Sequence, residues 1–173
     1  MTEYPEGFSD RQIRASRLSI AALIIIPLAA ILFQVYVPRF WHFMGYLELP
    51  LLVTVYYALM RRSPVAGVLY GAAIGLAQDS LSPQPLGMFG IVKTLVGYFA
   101  ASVSQRFAVE NPMVRLVLAF FFYFFHEFFY WVLKRALLGE VVDFDLVQTL
   151  VVAVLNAAVA VPLFRTLDRL KIN

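Results

Sequence analysis

The chain has 173 residues, of which 61% are apolar and only 14% charged, against about 25% charged in an ordinary soluble domain. Its net charge is only +3, and the basic residues gather between apolar runs, which argues for anionic headgroups and against a nucleic-acid partner. Cysteine is absent, so disulfides, thiol catalysis and thiolate metal sites are excluded.

A helix needs roughly 20 mostly apolar residues to cross hydrocarbon, and six segments approach that length. The first runs from Leu18 to Val37, after a basic stretch with Arg11, Arg14 and Arg17. It is longer than the roughly 7–15-residue core of a cleaved signal, so it is read as a span preceded by a short cytoplasmic segment, 1–17. The second runs from Phe43 to Met60, and the third from Pro64 to Asp79 with room to reach Leu81. The fourth covers Leu86 to Gln105, the fifth Met113 to Leu138 and the sixth Phe144 to Phe164. The fifth is long enough to tilt, or to let Arg115 and Lys134 snorkel to the interfaces. Pro38, Pro64, Pro83, Pro85 and Pro112 mark boundaries, whereas Pro27, Pro50 and Pro162 fall inside spans, where neighbouring helices can satisfy the freed carbonyls. The expected fold is an all-α membrane protein, one integral domain over 1–173 with six transmembrane helices and no internal repeat.

Charge sets the expected orientation. With the N-terminus inside, the cytoplasmic flanks hold Arg11, Arg14, Arg17, Arg61, Arg62, Arg106, Arg115, Arg165, Arg169 and Lys171, while the outside holds Arg39, Lys134 and Arg135. Lys93 lies within a span. Five spans would put the basic C-terminal tail outside, so six, with both ends cytoplasmic, fits better.

Within the spans, Gly67, Gly71 and Gly75 repeat at intervals of four, and Asp79 follows at the same spacing. Such a face lets another backbone approach closely; packing inside the bundle is the plain reading, a groove for a partner's helix the sharper one. Asp79 stands before a loop with Pro83, Pro85 and Gly87, where a short carboxylate can accept backbone N–H bonds. Four ionisable groups lie deeper: Glu48, Lys93, His126 and Glu127. Each needs a partner, water or a neutral form, since a charge at the bilayer centre costs about 2.5–3.5 kcal/mol. Glu48 and Lys93 fall at matched depth, about 8–11 Å below the outer interface at 1.5 Å per residue, so they can pair, either to neutralise each other or to floor a polar cavity open to the outside. His126 and Glu127 project about 100° apart, so they are not expected to converge on one ligand, and no second histidine follows four residues on. The aromatic run from Phe120 to Phe125 reads as lipid-facing bulk or a docking face.

Taken together, Pro50-Leu51-Leu52, Tyr57-Ala58-Leu59 before a basic turn, Gly71, Gly75-Leu76-Ala77-Gln78-Asp79, Pro85-Leu86-Gly87 and Gly97-Tyr98 resemble the MreD family of the bacterial rod-shape machinery. The resemblance covers roughly residues 48 to 105; the His126-Glu127 pair has no place in it. It implies a non-enzymatic inner-membrane scaffold that binds MreC and, through it, associates with RodA, PBP2 and the filament protein MreB in peptidoglycan synthesis. That family is similar in architecture to the six-helix substrate-binding subunits of energy-coupling-factor vitamin transporters, so a small-molecule subunit with a pocket around Glu48, Asp79 and Lys93 is the rival. Against the rival, the first span lacks an Ala-x-x-x-Ala motif. No Ser–His or paired-aspartate constellation is present, so no catalytic residue, cofactor or metal site is expected.

Overall fold

The computed structural model describes residues 17–18 and 20–172; Arg11 and Arg14 of the basic lead lie outside them. Six helices follow in order: α1 (Ile20–Tyr36), α2 (Leu49–Arg61), α3 (Pro64–Leu81), α4 (Met88–Ser104), α5 (Pro112–Leu137) and α6 (Leu146–Arg169). Short 3-10 turns over Val37–Arg39 and His42–Tyr46 join α1 to α2. Ser63, Asn111 and Asp145 cap α3, α5 and α6 through side-chain oxygens that accept from Ala66, Met113 and Gln148 N–H groups, satisfying donors that an apolar setting would leave costly.

Helix α2 is the core of the bundle. Every residue from Pro50 to Leu59 is buried, and α2 touches each of the other five helices. A helix apolar on all sides must be surrounded, which explains why its sequence shows no polar face. Around it, Ile24, Leu28, Leu69, Phe121, Val151 and Val154 point outward and exposed, the surface a bilayer would cover.

Among the described residues four segments are long and apolar enough to cross a membrane, Ala21–Arg39, His42–Arg61, Pro112–Leu137 and Leu146–Arg169. Helix α4 is apolar but has 17 residues. Helix α3 has 18, about 27 Å at 1.5 Å per residue, and its glycines, Gln78 and Asp79 lower its hydropathy. These two helices form the most closely packed pair, so the three glycines, Gln78 and Asp79 of α3 face protein.

The direction of the chain alternates, and contacts at the two ends agree. At one end Arg17–Leu18 pairs antiparallel with Lys171–Ile172, Arg62 meets Glu110 at 2.9 Å, and Gln105 donates to the Arg62 carbonyl. At the other, Asn156 donates to the Tyr46 carbonyl. Both described chain ends therefore lie on the same side of the bundle.

Three expectations need correction. The second span enters as 3-10 turns rather than as α-helix from Phe43, so Pro50 lies in the first turn of α2, where its missing N–H breaks no helical bond. Pro27 and Pro162 do lie inside helices. Arg115 does not snorkel outward: it is 7% exposed, donates to the Val109 carbonyl at 2.6 Å and pairs with Asp168 of α6. The sixth helix continues to Arg169, which brings Asp168 within reach of both Arg115 and the Tyr56 hydroxyl at 2.9 Å.

Candidate functional site

The glycine stripe faces α4. Ideal Cβ atoms on Gly67, Gly71 and Gly75 would collide with the backbone carbonyl oxygens of Gly97, Lys93 and Phe89. All three glycines are buried, so the stripe is consumed inside the bundle and offers no groove to a partner. Its pitch continues to Asp79, which therefore also points at α4.

There Asp79 closes the N-terminus of α4. Its carboxylate accepts from Gly87 N at 3.0 Å, Phe89 N at 3.0 Å and Gly90 N at 2.9 Å. Gly87, the residue before the helix, has φ +97, a left-handed conformation that a glycine adopts without strain. It carries no side chain that could cap, so the cap comes from α3. Pro85 accepts from Met88 N at 3.4 Å and sets the turn. The Gln-Asp and Pro-Leu-Gly segments are thus two halves of one device: a carboxylate and the loop that aims three N–H groups at it, favoured further by the helix dipole.

One turn further along α4, Lys93 is 0% exposed. Its Nζ lies 3.7 Å from Glu48 Oε2, 3.3 Å from His126 Nε2 and 4.4 Å from the centroid of the Phe89 ring, an arrangement that stabilises a cation. His126 Nδ1 lies 3.2 Å from Glu127 Oε1. An ammonium can only donate, so Nε2 accepts, and Nδ1 then carries the proton and donates to Glu127; this tautomer is assigned from the bonding pattern. The expected Glu48–Lys93 pair and the two polar groups of α5 thus form one chain, Glu48–Lys93–His126–Glu127. His126 and Glu127 nevertheless meet each other directly, a contact between neighbours on one helix that their angular separation did not suggest. Glu48 is not inside a helix but stands immediately before α2, and its backbone N–H donates to Asn156 Oδ1 at 2.9 Å.

Asn156, which the sequence reading missed, is fully buried and organises this end. Its amide nitrogen donates to the Tyr46 and Val152 carbonyls, pinning the 42–48 segment against α6. An amide deep in the apolar run of the sixth span was the available signal.

Above the polar chain a cavity of about 450 Å³ opens at the end of the bundle opposite the chain termini. Glu48, Glu127, Asp143, Asp145 and Lys134 supply its charges, and Phe89, Tyr123, Tyr130, Trp131 and Phe144 its aromatic walls. Lys134 also lies 3.9 Å from Glu140. Asp79 does not line this cavity; its oxygens are spent on the α4 cap. Among the described residues no three His, Asp or Glu side chains converge as metal ligands. The arrangement can hold and position a charged or hydrogen-bonding group.

A family model described as rod shape-determining protein MreD matches residues 15–170 of the chain. No curated protein and no solved structure gives a significant match.

Proposed function

The chain belongs to the MreD family of rod shape-determining proteins, and on that premise we propose that it is a non-enzymatic scaffold of the bacterial inner membrane that binds MreC through contacts within the bilayer. The family match over residues 15–170 carries this reading. The connections between helices support it, since the longest among the described residues covers only 37–48. With no sizeable domain on these loops, a partner meets the helices themselves, by packing of apolar and small residues. RodA, PBP2 and MreB would then be reached through MreC.

The test is copurification from membranes in mild detergent. MreC is expected to be retained with the tagged chain, whereas retention of an energising transporter module in its place would refute the scaffold reading.

The basic flanks motivate a second prediction, that both ends face the cytoplasm. A reporter fused after Lys171 is expected to read as cytoplasmic and one inserted between Ser82 and Pro85 as external. A tail that reads as external would overturn the orientation.

A further inference from the structure

The cavity is built for a cation. Its lining holds four carboxylates, Glu48, Glu127, Asp143 and Asp145, against the single ammonium of Lys134. Lys93 beneath it offsets one carboxylate of the buried chain, so Glu48 and Glu127 together exceed it by one negative charge. Aromatic faces complete the walls, and a cation beside aromatic rings and carboxylates is held by both. Glu48 Oε2 is shut from solvent and faces Lys93 Nζ at 3.7 Å, whereas the Glu127 side chain stays 31% exposed. An arriving N–H group therefore meets the Glu127 carboxylate, which lines the cavity.

The cavity also has an apolar extension. A second groove of about 280 Å³ is lined by Phe43, Tyr46, Gln148, Val151, Val152 and Leu155, and Tyr46, Gln148 and Val152 line both spaces. Val151 and Phe43 are exposed on the outer surface of the bundle, where hydrocarbon would lie. A polar chamber with acidic and aromatic walls, joined to a groove open toward lipid, matches an amphiphile and not a fully water-soluble molecule.

We infer that this cavity takes the primary ammonium head of a zwitterionic aminophospholipid, with the ammonium at Glu127, the phosphate at Lys134 and the hydrocarbon along the groove of Phe43, Val151 and Leu155. A primary ammonium is specified over a quaternary one because only the former brings N–H donors to the Glu127 carboxylate. This assignment concerns a lipid and does not depend on the identity of the protein partner.

Native mass spectrometry of the full chain, released from detergent after incubation with ethanolamine, choline or glycerol phospholipids of identical acyl chains, tests it. One ethanolamine lipid is expected to be retained at least about tenfold more strongly than the other two, the difference made by one charge-assisted hydrogen bond. Glu127→Gln is expected to abolish that preference. Val151→Trp, at an exposed position that leaves the fold intact, is expected to weaken retention of the ethanolamine lipid by filling the groove, and it decides the matter should the Glu127 variant fail to fold. Free ethanolamine is expected to compete with the lipid. Equal retention of the three lipids, or preference for the glycerol lipid, overturns the proposal. Protection by free ethanolamine without retention of its lipid overturns the amphiphile and leaves a soluble amine as the ligand.

Discussion

Alanine at Gly71 is expected to destabilise the protein by about 3 kcal/mol or more, at or beyond the upper end of the usual cost of overpacking a core. The new Cβ would overlap the Lys93 carbonyl oxygen and stand 2.6 Å from its carbon and 2.9 Å from Thr94 Cα. These are backbone atoms, so no rotamer change relieves the collision and α3 must move away from α4. That movement loosens two further features, because the Asp79 cap and the Lys93 network both depend on the same close approach. Gly45→Ala is the internal control: its Cβ would meet Pro38 Cβ at 3.6 Å, an ordinary contact, and a near-neutral effect is expected. Thermal unfolding in detergent, with the folded yield by size-exclusion chromatography, compares the two. Equal stability of the two variants would mean that α3 and α4 do not meet through this stripe.

The six helices were legible because a bilayer imposes a coarse rule, long apolar runs with charges between them, and Leu18–Val37 through Phe144–Phe164 obey it. Helix starts were less so. Proline at residue 50 looked like a mid-span residue because hydropathy alone cannot tell an α-helix from the 3-10 turns that lead into it. The glycine stripe showed in its spacing, but spacing does not say which neighbour fills it; that follows from α4 also presenting small residues, Gly90 and Gly97, to α3. Within the site, matched depth brought Glu48 and Lys93 into view as a pair. The link to His126 and Glu127 did not follow from sequence, since it requires α4 and α5 to be adjacent and two neighbouring side chains to bend toward one another. Arg115 and Asp168 were hidden for a related reason. A basic residue near a span end is normally drawn to the interface, and only the extended α6 supplies the carboxylate that holds this one inside.

Lys93→Met is expected to cost about 3–5 kcal/mol, the range for stranding a buried charge, and Glu48→Gln less. The asymmetry comes from the order of groups in the chain. Lys93 Nζ stands between Glu48 Oε2 at 3.7 Å and His126 Nε2 at 3.3 Å. Removing the ammonium leaves Glu48 Oε2, already without a hydrogen bond, with no counter-charge beside it, and also takes the donor from His126. Removing Glu48 leaves Lys93 its bond to His126, the negative charge of Glu127 behind that ring, and the Phe89 face. The double variant is expected to recover part of the Lys93→Met loss, because the stranded carboxylate disappears with its partner. A double-mutant cycle on thermal stability reads this as a coupling of about 0.5–3 kcal/mol. Strictly additive losses would show that the two side chains do not meet. Equal single losses with strong coupling would mean that His126 draws nothing from Lys93, and the four-membered chain would then reduce to two separate pairs. His126→Ala separates these cases: in the continuous chain it shrinks the difference between the two single variants, because the bond that makes Lys93 the costlier loss is no longer there to lose.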